Sequence, residues 1–119
     1  MGRKKPNIIK IKSFDFALKI IKLYQFLSDN KEFILSKQLL KSGTAIGALI
    51  RESEHAESKS DFIHKMAIAQ KEAKETEYWL ELLFQSNYIN DEQYQLFIKD
   101  ITEISKIIAS IILTLKERN

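Results

Sequence analysis

The 119-residue sequence contains no cysteine, one proline and only three glycines. The absence of cysteine excludes disulfide bonds and thiolate chemistry. Proline and glycine break helices most strongly, so their scarcity favours long helices. The longest apolar run, IIASIILTL near the C-terminus, is too short to cross a bilayer. The start MGRKKPNIIK also lacks the apolar run of a signal peptide, so we expect a cytoplasmic protein with no membrane partner.

Charges of both signs are present, but they are unevenly distributed. The first 50 residues contain 10 Lys/Arg and 3 Asp/Glu, a net charge of +7, whereas residues 51–119 contain 9 and 13, a net charge of −4. A basic half and an acidic half predict either an anionic partner or self-association through complementary faces. A surface that is merely solvated explains the same pattern.

Apolar residues recur at helical spacing in four segments, and short polar turns such as SDNKE and SNYIN separate them. A capping residue precedes each segment, and we predict Ser13, Ser36, Ser60 and Asn90 as the four N-caps. The acidic residues that follow Asn90 favour a helix start there, because the helix dipole stabilises negative charge in the first turn.

Four helices with short connections predict an all-α fold, an antiparallel up-down four-helix bundle. Residues 1–12 are predicted to be a basic N-terminal tail, and residues 13–119 to form the single bundle domain. The predicted inward residues are Phe16, Ile20, Leu23 and Leu27; Leu39, Gly43, Ile46 and Ile50; Phe62, Met66, Ala69, Ala73, Leu80 and Phe84; and Tyr94, Ile98, Ile101, Ile104, Ile108, Ile112 and Leu115.

Three of the helices carry more apolar residues than one inward stripe requires. On the third helix, Ile68, Trp79 and Leu82 fall on the side away from the predicted core. The other off-stripe residues are Phe14, Leu18 and Phe26 on the first helix and Leu96, Ile107 and Leu113 on the fourth. Large exposed apolar patches usually mark interfaces, so we predict homo-oligomerisation with Ile68, Trp79 and Leu82 in the interface. The alternative is that helices one and four cover this surface within the monomer.

The stretch GTAIGALIRESEHAESKSDFIH combines two glycines with carboxylates and histidines. Gly43 and Gly47 lie one turn apart in a helix otherwise built from good helix formers, and each costs about 1 kcal/mol relative to alanine. Small residues allow two helices to approach closely, so we interpret these glycines as packing positions and not as a ligand site.

The same stretch has the Glu-x-x-His spacing of metal sites in helical bundles. Glu52 and His55 show this spacing, and Asp61 and His64 resemble it. Such sites need inward ligands from all four helices, whereas His55 falls opposite Ile46 on the helical wheel and the first helix contains no Glu. We therefore expect no metal and no other cofactor.

Arg51 and His55 suggest a nuclease as an alternative. Some helical-bundle RNases have four to six residues between a catalytic Arg and a His, and here only three residues separate the two. A single histidine without a second acid or base is a weak catalytic site. We therefore predict a protein that is not an enzyme and keep an RNase-like bundle as the alternative.

Basic residues form a row along the outer face of the second helix, where small residues at Thr44 and Ala48 separate them. Cations at successive turns suit the phosphate backbone of RNA or DNA. No aromatic residue interrupts the row, so sequence readout by base stacking is not indicated. A solvated face is the alternative. The predicted nucleic-acid-binding residues are Lys37, Lys41, Arg51 and His55 in the row and Arg3, Lys4 and Lys5 in the tail.

The segment SKQLLKSGTAIGALIRESEHAESKSDFIHKMAIAQKEAKETEYWLELL resembles the four-helix-bundle proteins encoded in 23S rRNA intervening sequences. Those proteins carry a similar S-x-Q-L-x-x-S-x-x-S-I-x-x-N-I-x-E helix, followed by K-x-D-F-x-x-K-x-x-I-A-x-x-E-x-x-E-x-x-Y-W-L. The match extends into the patterns of helices one and four. This sequence departs from the family at Ala48 and Leu49, where many relatives have Asn or another polar residue.

The resemblance implies an antiparallel four-helix bundle that assembles as a homopentamer. The family is also similar to accessory proteins of diversity-generating retroelements, which implies binding to nucleic acid and to a reverse transcriptase. The sequence thus favours a non-enzymatic, pentameric nucleic-acid-binding or scaffold protein, with a pure assembly module as a further alternative. Glu77 falls near the core centre of helix three and needs a partner if it is buried; Tyr24, Tyr94 and an interface Lys are the candidates. The alternative is that Glu77 reaches solvent at a helix–helix boundary.

Overall fold

The structure, a computed structural model, describes residues 7–118. It contains four helices: α1 at Ile8–Asp29, α2 at Leu35–Ser53, α3 at Lys59–Gln85 and α4 at Asp91–Glu117. No strand occurs within these described residues. The predicted all-α four-helix bundle is confirmed.

Each helix packs against the next helix in the chain, and α1 also contacts α4. Because α1 and α3 do not meet, they lie at diagonal corners of the bundle. Along α1, Lys10 is joined to Glu54 and Ile20 lies against Gly43, so α1 and α2 run in opposite directions. The result is an elongated body with extents of 50 × 24 × 22 Å.

The core follows the predicted inward stripes. On α1 and α2 every predicted inward residue is buried, whereas on α3 and α4 the residues near the bundle ends, such as Phe84 and Tyr94, are half-buried. The rings of Phe84 and Tyr94 stack with their centroids 4.5 Å apart, so the end of α3 packs against the start of α4. The buried apolar residues are Ile9, Phe16, Ile20, Leu23, Leu27, Leu39, Ile46, Ile50, Met66, Ala69, Ala73, Leu80, Leu83, Ile89, Ile101, Ile104 and Ile108.

The first helix begins six residues before the predicted start. Asn7 is its N-cap, and the Asn7 side chain accepts a hydrogen bond of 3.1 Å from the Lys10 amide. Ser13, the predicted cap, lies inside the helix, where its hydroxyl donates to the Lys10 carbonyl oxygen. Residues 8–12 are therefore helix and not tail, and Ile9 is part of the core.

The N-terminus of α2 is capped from the preceding turn. The carboxylate of Glu32 accepts hydrogen bonds from the amides of Ile34, Leu35 and Ser36 at 3.2, 3.0 and 2.6 Å. Ser36, the predicted cap, is a helical residue whose hydroxyl donates to the Glu32 carbonyl oxygen. A carboxylate at a helix N-terminus also interacts favourably with the helix dipole, so one side chain satisfies three amides and adds charge stabilisation.

The caps of α3 and α4 agree with the sequence to different degrees. The N-cap of α3 is Ser58, whose hydroxyl accepts from the Asp61 amide at 3.0 Å, so the prediction of Ser60 is wrong by two residues. Asn90 caps α4 as predicted. Its side chain accepts from the Gln93 amide at 2.8 Å and the Gln93 side chain accepts from the Asn90 amide at 2.9 Å, which is a capping box.

The two glycines of α2 face α1, which supports their interpretation as packing positions. A Cβ atom on Gly43 would lie 2.9 Å from a side-chain carbon of Ile20, which is fully buried. A Cβ atom on Gly47 would lie 3.4 Å from the Ser13 carbonyl oxygen, a tight but tolerable distance. Gly43 is therefore required by the packing, whereas Gly47 is only favoured by it.

Gly43→Ala and Gly47→Ala should shift stability in opposite directions. Overpacking against Ile20 costs about 1–3 kcal/mol, more than the helix-propensity gain of about 1 kcal/mol, so Gly43→Ala should lower the free energy of unfolding. Gly47→Ala should keep most of its propensity gain and be neutral or stabilising. Thermal unfolding followed by circular dichroism gives the order, and equal stability of the two variants would refute the close contact at Gly43.

Removing the Glu32 carboxylate should destabilise the bundle. Glu32→Ala leaves three amides at the start of α2 without their acceptor, which should cost about 1–3 kcal/mol, while Glu32→Gln keeps one oxygen and should cost less. Urea unfolding measures both, with Glu57→Ala as the control because Glu57 is exposed. A loss in Glu32→Ala no greater than that in the control would contradict the capping role.

Candidate nucleic-acid interface

Three of the four row residues lie on the outer face of α2. Lys37, Lys41 and Arg51 are all exposed. Thr44 and Ala48 lie between Lys41 and Arg51, and Ala48 is exposed. Thr44 is half-buried, and its hydroxyl donates to the Leu40 carbonyl oxygen at 2.7 Å. Lys37 and Lys41 are one helical turn apart, so their ammonium groups reach solvent on the same side.

The lysines of the row differ from most lysines on α1 in their electrostatic partners. Within residues 7–118, Lys37 and Lys41 form no ion pair. On α1, by contrast, Lys10, Lys12 and Lys19 are each joined to a carboxylate on another part of the bundle, namely Glu54, Glu103 and Asp100. The charges of Lys37 and Lys41 are therefore not neutralised by a carboxylate among the described residues, whereas much of the charge on α1 is.

Arg51 connects the row to α1. Its guanidinium lies 5.2 Å from the centroid of the Phe14 ring, within the range of a cation–π contact. Arg51 is also in the last turn of α2, where the helix dipole favours a positive charge. The contact covers part of Phe14 and places the arginine at the border between the basic row and an apolar surface on α1.

His55 lies just beyond the end of α2, and its part in nucleic-acid binding stays a prediction. Helix α2 ends at Ser53 with Glu54 as C-cap, and the His55 amide donates to the Glu52 carbonyl oxygen in the following turn. The predicted placement of His55 on the helix, one turn after Arg51, is therefore wrong. The Arg51 guanidinium lies against Phe14, and no hydrogen bond joins Arg51 to His55 among the described residues.

The predicted tail residues Arg3, Lys4 and Lys5 lie outside the described residues, so their part in the row stays a prediction. Within the segment predicted as tail, Lys12 is placed on α1 and paired with Glu103 at 2.8 Å. The hydrogen bond to Glu103 and the charge of that carboxylate raise the pKa of Lys12 above its ordinary value.

An exposed apolar surface lies on α1, beside the basic row. Ile11, Phe14, Leu18 and Ile21 follow one another at intervals of three, four and three residues, and they are between 38% and 52% exposed. This spacing gives α1 a second apolar stripe that none of the other three described helices covers. The sequence indicated Phe14, Leu18 and Phe26 as off-stripe residues, and the structure adds Ile11 and Ile21 to that surface.

The predicted interface residues of α3 are less accessible than expected. Ile68, Trp79 and Leu82 are half-buried, and Trp79 packs against the core cluster within the chain. Its neighbour Tyr78, which the sequence pattern did not single out, is 55% exposed and meets Trp79 edge-to-face at 5.1 Å. A subunit interface at these three residues stays a prediction, and Tyr78 is the more exposed aromatic residue of this face.

Glu77 is half-buried and not buried in the core, which agrees with the alternative that it reaches solvent. Its carboxylate is 3.7 Å from Lys74 of the same helix. The buried polar residue of α3 is instead Thr76, whose hydroxyl is 2.9 Å from that of Ser42 and 2.8 Å from the Glu72 carbonyl oxygen. Burial raises the pKa of Tyr94, and the charges of Glu81 and Glu77 raise it further.

Two properties of residues 7–118 concern metal ions and membranes. No group of three or more His, Asp or Glu side chains in this part of the chain is arranged to hold a metal ion. Among the same residues, none of the four helices is long and apolar enough to span a membrane.

The fold and the exposed basic helix together define the class as an all-α four-helix bundle with a charged outer face on α2. The chain matches the family 23S rRNA-intervening sequence protein over residues 5–110, and it belongs to this family. The resemblance seen in the sequence is thereby confirmed.

A solved structure supports the same assignment. It is the crystal structure of a protein with unknown function from the S23 ribosomal protein family, from Bacteroides thetaiotaomicron VPI-5482. The two chains are 57% identical with a TM-score of 0.86, over 87% of this chain and 97% of that one. No curated protein matches this chain significantly. Neither the family nor the similar structure names an activity or a ligand.

Proposed function

We propose that this chain is a non-enzymatic, homopentameric protein that binds RNA or DNA through the basic row of α2. The observation that supports the proposal is that Lys37 and Lys41 are exposed, one turn apart, and without a carboxylate partner among residues 7–118. Unpaired cations on one helix face are suited to neutralising successive phosphates and releasing their counterions.

The row is suited to the phosphate backbone and not to the bases. Its exposed residues are cations separated by the small residues Thr44 and Ala48, so a nucleic-acid strand can approach the helix closely. Base stacking needs exposed aromatic faces, and the aromatic ring beside the row, Phe14, is partly covered by the Arg51 guanidinium. Binding should therefore depend on charge and vary little with sequence.

Assembly into a pentamer would strengthen the weak binding of nucleic acid by a single basic row. One subunit offers only a few phosphate contacts, but five subunits would present five rows to one polyanion and raise the avidity without a new type of contact. The uncovered apolar stripe of α1 supports self-association, because a surface of this kind is usually buried in an interface. A reverse transcriptase, which the family resemblance implies, would be an additional protein partner.

The nucleic-acid part of the proposal is tested by a salt titration. The parent should bind a labelled single-stranded RNA at about 50 mM salt and lose affinity steeply by about 200 mM, because counterion release sets the slope. Lys37→Ala with Lys41→Ala should weaken binding and make the slope shallower by about one for each phosphate that is no longer neutralised. Fluorescence anisotropy across several RNA and DNA sequences also measures how little the sequence matters.

The matched control removes two other exposed lysines, Lys71 and Lys106, from α3 and α4. This double variant has the same net charge as the α2 variant but should keep a slope closer to that of the parent. If the parent does not bind at about 50 mM salt, or if both double variants have the same slope, α2 is not the binding face. A pure assembly module would then be the better description.

The assembly part of the proposal is tested by mass. Light scattering at micromolar concentration should give about five times the chain mass of 13.9 kDa. Leu18→Glu, in the exposed stripe of α1, should lower this mass because a charge would be buried in the contact. Leu113→Glu on α4 is the control, since Leu113 is also an exposed leucine, at 59% against 46% for Leu18, but lies outside the α1 stripe. A monomeric parent would refute the assembly.

A further inference from the structure

A groove with an apolar floor lies between α1 and α4. It encloses about 480 Å³ between the Lys19–Phe26 part of α1 and the Gln93–Asp100 part of α4. Leu23 and Phe97 line it from the core side, while Phe26 and Leu96 on its rim are 41% and 63% exposed. The groove is therefore an open apolar site on the surface of the subunit.

The charged rim of this groove is positive. Lys22 and Lys99 line it and form no ion pair among the described residues, whereas Lys19 is neutralised by Asp100 at 2.8 Å. An occupant of the groove should therefore combine apolar side chains with carboxylates that can meet these two lysines.

The outer face of α3 has this chemistry. Tyr78 projects from it with 55% exposure, and Leu82 lies one turn further along. Glu75 and Glu81 flank the tyrosine at three residues on either side; both are exposed, and neither forms an ion pair within residues 7–118. The exposed charged residues of this face are Lys71, Lys74, Glu75 and Glu81, and Lys74 is joined to Glu77 at 3.7 Å. The unpaired charges next to Tyr78 are therefore the carboxylates of Glu75 and Glu81.

The two surfaces lie at the same height of the bundle but on different sides. Ile20 of α1 packs against Gly43 of α2, and Ser42, next to Gly43, contacts Thr76 of α3. The part of α1 that lines the groove is therefore at the same height as Tyr78 on α3. Because α1 and α3 occupy diagonal corners, the groove cannot receive the α3 face of its own chain. The complementary face can reach it only from a second copy.

We propose that the α1–α4 groove of one subunit receives Tyr78 and Leu82 from α3 of the next subunit. This inference deepens the proposed function and rests on its homo-oligomer, to which it assigns two contacting surfaces in addition to the α1 stripe. Lys22 and Lys99 face Glu75 and Glu81 across the contact. Since the surfaces differ, the contact is heterologous, and repetition of a heterologous contact closes into a ring when the rotation permits.

The energetic roles of the contact are divided between apolar and charged groups. Burial of Tyr78 against Phe26 and Leu96 supplies the attraction, because large exposed apolar side chains leave water. The rim charges set the register and exclude other pairings, since like charges would meet in any contact between two grooves or two α3 faces. The basic row of α2 is outside the contact and stays open to nucleic acid.

Charge reversal with rescue tests the contact. Lys22→Glu with Lys99→Glu places carboxylates opposite carboxylates, and Glu75→Lys with Glu81→Lys places cations opposite cations. Each double variant should lose the oligomer and give the monomer mass by light scattering at micromolar concentration. The quadruple variant has opposite charges again and should regain the parent mass. Lys37→Glu with Lys41→Glu is the control, because it changes the same charge on α2 and should leave the mass unchanged.

The outcomes separate the contact from the assembly itself. A monomeric parent refutes the homo-oligomer and this contact together. An oligomeric parent whose double variants keep the parent mass refutes this contact but leaves the homo-oligomer intact. Loss of the oligomer in the double variants without recovery in the quadruple variant also refutes the pairing, because the charges then do not face each other. Circular dichroism confirms that every variant is folded.

Cross-linking identifies the partner of the groove directly, since the chain has no cysteine of its own. Phe26→Cys chains mixed with Tyr78→Cys chains should form covalent dimers with a short bis-maleimide linker, and neither variant should do so alone. Covalent dimers of Phe26→Cys by itself would mean that two grooves face each other and would overturn the proposal. So would the absence of mixed dimers in an oligomeric sample.

Discussion

The close approach of α1 and α2 is the constraint on which much of the structure depends. At Gly43 the backbone of α2 lies so near to Ile20 that a Cβ atom would be 2.9 Å away. Between the same two helices, Phe14 of α1 lies against Arg51 of α2, and the second apolar stripe of α1 remains exposed. A larger side chain at Gly43 would push the two helices apart and disturb both the apolar stripe of α1 and the basic row of α2.

The distribution of charge partners is the second organising feature. Ion pairs across the bundle neutralise Lys10, Lys12 and Lys19, and all three are at accessible positions where each pair contributes little to stability. These ion pairs instead determine which charged side chains on the surface remain without a partner. Unpaired lysines remain at the row of α2 and at the rim of the groove, and unpaired carboxylates remain at Glu75 and Glu81 on α3. The proposed contacts with nucleic acid and with other subunits rest on these residues.

The helix starts show how far a sequence pattern can be interpreted. Asn90 was predicted correctly because its partner Gln93 lies in the same short segment, so the capping box is a local feature. Ser13 and Ser36 were wrong because a serine inside a helix can donate to a carbonyl oxygen three or four residues earlier, and its sequence signal is the same. The cap of α2 depends on Glu32, whose position follows from the conformation of the whole turn.

The sequence by itself determined the four helices, their inward stripes, the two packing glycines of α2 and the family. These follow from local composition and from a period of 3.6 residues, which any packing must respect. Only the tertiary structure decided which surplus apolar residues are exposed, because helix rotation depends on the neighbouring helices. It half-buries Trp79 and leaves Tyr78 outside. It also moves His55 off the helix and decides which lysines meet a carboxylate, since those partners are distant in the chain.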